Sequence, residues 1–179
     1  MKILIKIIIF LIIIPSKSFC LIEVDITRGN LDPLPIAVSP LSIDENSRQN
    51  FEKILKRKNI GDEISEIIEV NLKTSGLFNP LNKDAFLQAP DIANLKPRFE
   101  DWNLIKAQAL ITGKVSYIDE KLRVEFRLWD VLAGKEMVAL AFTTVPTNWR
   151  RVGHIITDKV YQRLTGEKGY FDTRIIYVA

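Results

Sequence analysis

At 179 residues the chain has room for one ordinary domain with a real core, and not for two large ones. Its 47% hydrophobic and 26% charged residues give the balance of a folded globular protein rather than a disordered one. The formal charge of +3 misleads: Lys2, Lys6 and Lys17 sit in an acid-free leader, and without them 22 basic residues face 22 acidic ones. Bulk charge therefore argues for neither nucleic acid nor an anionic membrane as partner.

Residues 1–20 read as a secretory signal peptide. Lys2 and Lys6 precede an apolar run from Ile7 to Ile14, Pro15 breaks any helix, and Ser18-Phe19-Cys20 places small residues at −3 and −1 of a cleavage site. The run is far shorter than the roughly 20 apolar residues that span a bilayer, so no stable membrane insertion is expected once the leader is removed near Cys20. Cys20 is the sole cysteine. Cleavage after it leaves no thiol for a disulfide, for nucleophilic catalysis or for a metal.

Leu21 to Gly29 would then open the mature chain. Ile22, Val24 and Ile26 alternate with Glu23, Asp25 and Thr27, the period-two pattern of a half-buried strand. Such a strand at a free terminus can pair within its own domain or add to the sheet edge of another protein.

Asp32-Pro33 marks a turn, and Pro35 to Leu41 reads as a short buried strand. Ser42 to Gln49 is polar and reads as a loop. Phe51 to Lys58 reads as a helix with Phe51, Ile54 and Leu55 on one face. Its Lys53, Lys56, Arg57 and Lys58 suit a solvated face better than a phosphate site, because acids flank them. The next helix is well marked. Gly61 or Asp62 can cap it, Ile64, Ile67, Ile68 and Leu72 form an apolar stripe, and Glu69 and Lys73 are spaced for an ion pair. Gly76 is placed for a left-handed cap, with Leu77 folding back on the last turn.

Phe78 to Pro97 reads as a loop, and Phe99 to Lys106 as a short helix turning Phe99, Trp102 and Ile105 inward. Three strands follow as an antiparallel meander: Ala107 to Tyr117, with Gly113 at a bulge or close approach, then Lys121 to Leu128, then Met137 to Thr144. Thr147 or Asn148 caps a last helix carrying Trp149, Val152, Ile156, Val160 and Leu164. His154, the sole histidine, lies off that stripe and reads as a rim residue rather than a ligand. Arg174 to Val178 reads as a further strand.

The expected fold is α/β (α+β): a mixed sheet of about five strands with two main helices on one face and a mobile N-terminal strand. The sequence holds no phosphate loop, nucleophile elbow or metal-ligand spacing. Scattered carboxylates such as Glu125 and Asp130 have no spacing that recommends catalysis. No catalytic residue, cofactor or metal is expected, and binding is favoured over catalysis.

Three stretches add a family. Asn71 to Leu81 (NLKTSGLFNPL) resembles the helix-end segment of the TolB family of the Tol–Pal system. Leu164 to Val178 (LTGEKGYFDTRIIYV) resembles the junction where the N-terminal domain of that family passes into a β-propeller. Asp25 to Gly29 followed by Pro35 to Val38 is similar to the family's mature start. Behind the signal peptide at 1–20, the resemblance implies a mobile partner-binding segment at 21–34, the family's N-terminal domain at 35–166, and a truncated propeller start at 167–179. It implies a periplasmic, non-catalytic adaptor contributing to outer-membrane integrity and to envelope constriction at cell division. The expected partner is the periplasmic C-terminal domain of TolA, met by Ile22, Glu23, Val24, Asp25, Ile26, Thr27, Arg28 and Gly29. Binding of the lipoprotein Pal is expected only where the propeller is present. The alternative is a truncated remnant serving as an interaction domain without Pal.

Overall fold

A computed structural model describes residues 32–173. Its order is β1 (Leu34–Val38), β2 (Ser42–Ile43), α1 (Glu45–Leu55), α2 (Ile60–Thr74), β3 (Phe78–Pro80), α3 (Pro90–Leu95), α4 (Phe99–Leu104), β4 (Ala109–Ile118), β5 (Lys121–Asp130), β6 (Lys135–Thr144) and α5 (Trp149–Thr165). The strands form one mixed sheet in the order β3-β1-β4-β5-β6, with β2 beside β4. β1 runs parallel to β3 and β4, whereas β4, β5 and β6 form the antiparallel meander that the alternation predicts.

That alternation sorts the sheet's faces. Leu122, Val124, Phe126 and Leu128 point one way from β5 and are fully buried. They meet Ile64, Ile68 and Leu72 of α2 and Val152, Ile156, Val160 and Leu164 of α5 in the main core. These are the two main helices, and they lie on the same face. A smaller core on the other face gathers Ala37, Leu110 and Val131 around Trp102 of α4 and Ala93 of α3. Gly113 is a point of close approach. A Cβ there would lie 2.3 Å from the Glu125 carbonyl oxygen, and the sheet's irregularity falls instead at Leu128/Trp129.

Several local expectations are corrected. Ser42 to Gln49 is not a loop: β2 pairs with β4, and α1 starts at Glu45, where Asp44 Oδ1 accepts from Ser47 N at 2.9 Å. A side-chain cap starts this helix although little of it is apolar, and only Ser47 and Phe51 are buried along it. It ends at Leu55 with Lys56 left-handed, and Ile54 is exposed. α2 begins at Ile60 with Asn59 as its N-cap residue, one turn-edge ahead of the expected Gly61 or Asp62. Glu69 pairs with Lys83 at 3.0 Å rather than with Lys73. Phe78 to Pro97 contains β3 and α3, both too short to show a period. Gly76 does supply the left-handed turn after α2, at φ +75°.

Candidate functional site

The expected partner-binding residues, Ile22, Glu23, Val24, Asp25, Ile26, Thr27, Arg28 and Gly29, lie outside the described residues, as does the expected strand Arg174 to Val178. The structure describes the root from which the N-terminal segment departs. Asp32 and Pro33 are exposed, and Leu34 enters the sheet with its N–H donating to the Leu77 carbonyl at 2.9 Å. Leu34 stands opposite Phe78 of β3, and Ile36 opposite Ala109 of β4. β1 therefore has a strand on each side and is closed to further pairing.

Phe78 is buried at this root. Its ring meets Tyr161 of α5 edge-on at 6.1 Å between centroids. Tyr161 in turn meets Tyr170 at 5.5 Å and Phe171 at 5.8 Å. Residues after Gly166 turn back along α5 as a strap. Asp158 accepts from the N–H groups of Phe171 (2.7 Å) and Asp172 (3.1 Å), and Arg151 holds the Asp172 carboxylate through two nitrogens. Burial pushes the Tyr161 phenol above its ordinary pKa, with the nearby Tyr170 and Glu167 adding to the effect. Three stretches far apart in sequence thus meet at one end of the domain: the start of β1, the start of β3 just after α2, and the strap.

The other residues considered for chemistry have structural partners. Glu125 accepts from Arg123 at 2.8 Å. Asp130 is 1% exposed, and its Oδ1 accepts from Ala133 N at 2.8 Å, fixing the β5–β6 turn. Lys58 pairs with Glu52 at 3.0 Å, and Arg57 pairs with Glu63. His154 sits at the rim between the main helices, with its Nδ1 2.9 Å from Asn71 Nδ2. A groove of about 550 Å³ opens beside it, lined by Arg57, Glu66, Val70, Trp149 and Arg150. Arg57 and Arg150 each place a guanidinium 5.1 Å from the Trp149 ring. Among the described residues no three His, Cys, Asp or Glu side chains gather as a metal site, and no helix is long and apolar enough to cross a membrane.

The described parts of the stretches that resemble the TolB family, Pro35 to Val38, Asn71 to Leu81 and residues 164–173, come together here. A sequence model of the TolB amino-terminal domain matches residues 22–137, a span that begins at the first residue of the alternating segment. The chain belongs to the TolB family. A Tol-Pal system protein TolB of Pelagibacter ubique (strain HTCC1062) is 80% identical over 171 residues. That alignment takes in 96% of this chain and 38% of the relative, so the chain spans well under half the relative's length. The fold is also that of a crystallised TolB from Acinetobacter baumannii: TM-score 0.62 at 21% identity, over 85% of this chain and 33% of that one. No signal in the sequence pointed to Tyr161 as the hub, because its importance comes from Phe78 and Tyr170, which only the fold brings to it.

Proposed function

We propose that this TolB-family chain is a periplasmic, non-catalytic adaptor that offers Ile22 to Gly29 as an added strand to the periplasmic C-terminal domain of TolA. The observation that carries the reading is the closure of β1. The segment ahead of Leu34 feeds into a strand that already has a neighbour on both sides, so the alternating residues Ile22, Val24 and Ile26 have no place as a neighbour of β1. In an added strand, backbone hydrogen bonds supply affinity and alternate side chains fill pockets. The cost of ordering the segment keeps the affinity modest, as suits a transient link across the envelope.

The signal peptide over 1–20, the partner-binding segment over 21–34 and the domain over 35–166 belong to the same reading, as does a role in outer-membrane integrity and constriction at division. Pal binding is assigned to the propeller that the family carries beyond this domain. The test is deletion of Ile22 to Ile26. The expected result is loss of TolA binding in calorimetry with an unchanged circular dichroism spectrum. TolA binding that survives the deletion overturns the reading.

A further inference from the structure

The two edges of the sheet are finished differently. β3 is three residues long and contains Pro80, and short or proline-bearing edges are among the ways that sheets avoid pairing with other chains. β6 has neither protection. It is ten residues long, holds no proline, carries no charge from Met137 to Thr144, and has no described strand on its outer side. Arg163 reaches the strand, donating from Nε to the Met137 carbonyl at 3.3 Å.

The core is also unfinished along this strand. Val138, Leu140 and Phe142 of β6 lie opposite Leu128, Phe126 and Val124 of β5 and so share the main-core row. Their β5 partners are sealed, yet Leu140 is 41% exposed, and Val138 and Phe142 are only half-buried. On the other face the row is Ala139, Ala141 and Thr143, small and exposed.

We propose that β6 is a self-association edge, pairing antiparallel with β6 of a second copy of this chain across a two-fold axis at Leu140. In that register Leu140 faces its own mate, Val138 faces the partner's Phe142, and Ala139 faces the partner's Ala141. The inner row then continues from one core into the next, with an aliphatic–aromatic cross-strand pair on each side of the axis, and the outer row stays small. Charge favours antiparallel over parallel pairing of two copies, with Glu136 also held by Arg127 at 3.4 Å. Lys135 and Glu136 lie together at one end of β6, so antiparallel pairing carries the two copies of each to opposite ends. Parallel pairing would set Lys135 against Lys135 and Glu136 against Glu136. The interface is isologous and therefore closes at two copies.

The experiment is sedimentation of the whole chain over a concentration series reaching about 1 mM, with Leu140→Lys and Leu140→Glu as variants. Leu140 is 41% exposed, so both variants are expected to keep the fold, and an unchanged circular dichroism spectrum of each checks this. Wild type is expected to shift toward dimer as concentration rises. Each variant alone places like charges on the axis and is expected to weaken association more than about tenfold. An equimolar mixture of the two variants is expected to recover the dimer. A monomeric wild type at about 1 mM, a Leu140→Lys variant as dimeric as wild type, or a mixture that stays monomeric overturns the proposal. So does a monomer whose β6 amides are protected from exchange until Ile22 to Ile26 are deleted, because the chain's own segment would then hold the edge.

Discussion

Ser65, fully buried on α2, holds the first crossover of the fold through one hydroxyl. Its Oγ accepts from Leu41 N at 3.0 Å and lies 2.9 Å from the Gly61 carbonyl oxygen and 3.2 Å from that of Ser39. Ser65→Ala removes no large volume but strands the Leu41 N–H away from water. A buried unsatisfied donor costs about 1–3 kcal/mol, and urea denaturation should show that loss with an unchanged m-value. Gly113→Ala acts differently. The new methyl would sit 2.3 Å from the Glu125 carbonyl oxygen and 2.7 Å from Leu41 Cδ2, and the first of these is backbone that cannot rotate away. Overpacking of this kind costs about 1–3 kcal/mol. The melting temperature of Gly113→Ala should fall while that of an Ala substitution at exposed Lys114 stays near wild type.

At the scale of elements, α1 shows how a helix with little apolar surface is specified. Asp44 accepts from Ser47 N and from Ser47 Oγ, both at 2.9 Å, and Ser47 Oγ accepts in turn from Tyr117 N of β4 at 2.8 Å. The Ser47 N–H holds the Asp44 carboxyl below its usual pKa, opposed in part by burial and helped by the Ser47 hydroxyl and Lys114. A carboxyl with a depressed folded pKa stabilises the fold above its unfolded pKa of about 3.9 and loses that contribution as pH falls through the folded value. Asp44→Ala should therefore cost about 1 kcal/mol at neutral pH. The stabilities of wild type and variant should then converge as pH is lowered below about 4. A difference constant with pH would mean that the carboxylate charge plays no part.

Elements long enough to repeat their period are legible in the sequence, and shorter ones are not. α2, β5 and α5 were legible because each repeats one period for ten residues or more with the apolar side chains on one face. β3 was not, because three residues carry no period, and its strand character comes from parallel pairing with β1, over forty positions earlier in the chain. The pairing of Glu69 with Lys83 escaped for the same reason: the helix spacing favours Lys73, but β3 and the turn after it return Lys83 to the helix. Of the candidate site, the alternation and the family stretches were readable. The convergence of Leu34, Phe78 and Tyr161 was not, since no local rule links them.

At the scale of the whole molecule, the strap ties the end of the described chain to the site where β1 begins. Tyr170 and Phe171 stack at 4.5 Å and both lean on Tyr161, while Asp158 and Arg151 hold the backbone and carboxylate of the last turn. Deleting residues 167–179 should leave the two main helices and the sheet intact, because α5 ends at Thr165 with its core stripe unbroken. It should uncover Tyr161, which is 8% exposed with the strap in place. Burial is the first cause of that phenol's raised pKa, so deletion should return it toward the ordinary value of about 10. Ultraviolet titration of tyrosinate would report the change, with Tyr161→Phe identifying the signal. Aromatic pairs of this geometry contribute about 0.5–1.5 kcal/mol beyond their burial, so a loss of roughly 1–3 kcal/mol in urea should accompany the shift. The sign with pH follows. A raised folded pKa gives stability that is present below about 10 and is lost as pH rises through the folded value, so the advantage of the strapped chain over the deleted one should shrink in strong base. If Tyr161 titrates identically in both chains, the strap is not what buries it, and the hub at the root of the N-terminal segment is made by Phe78 alone.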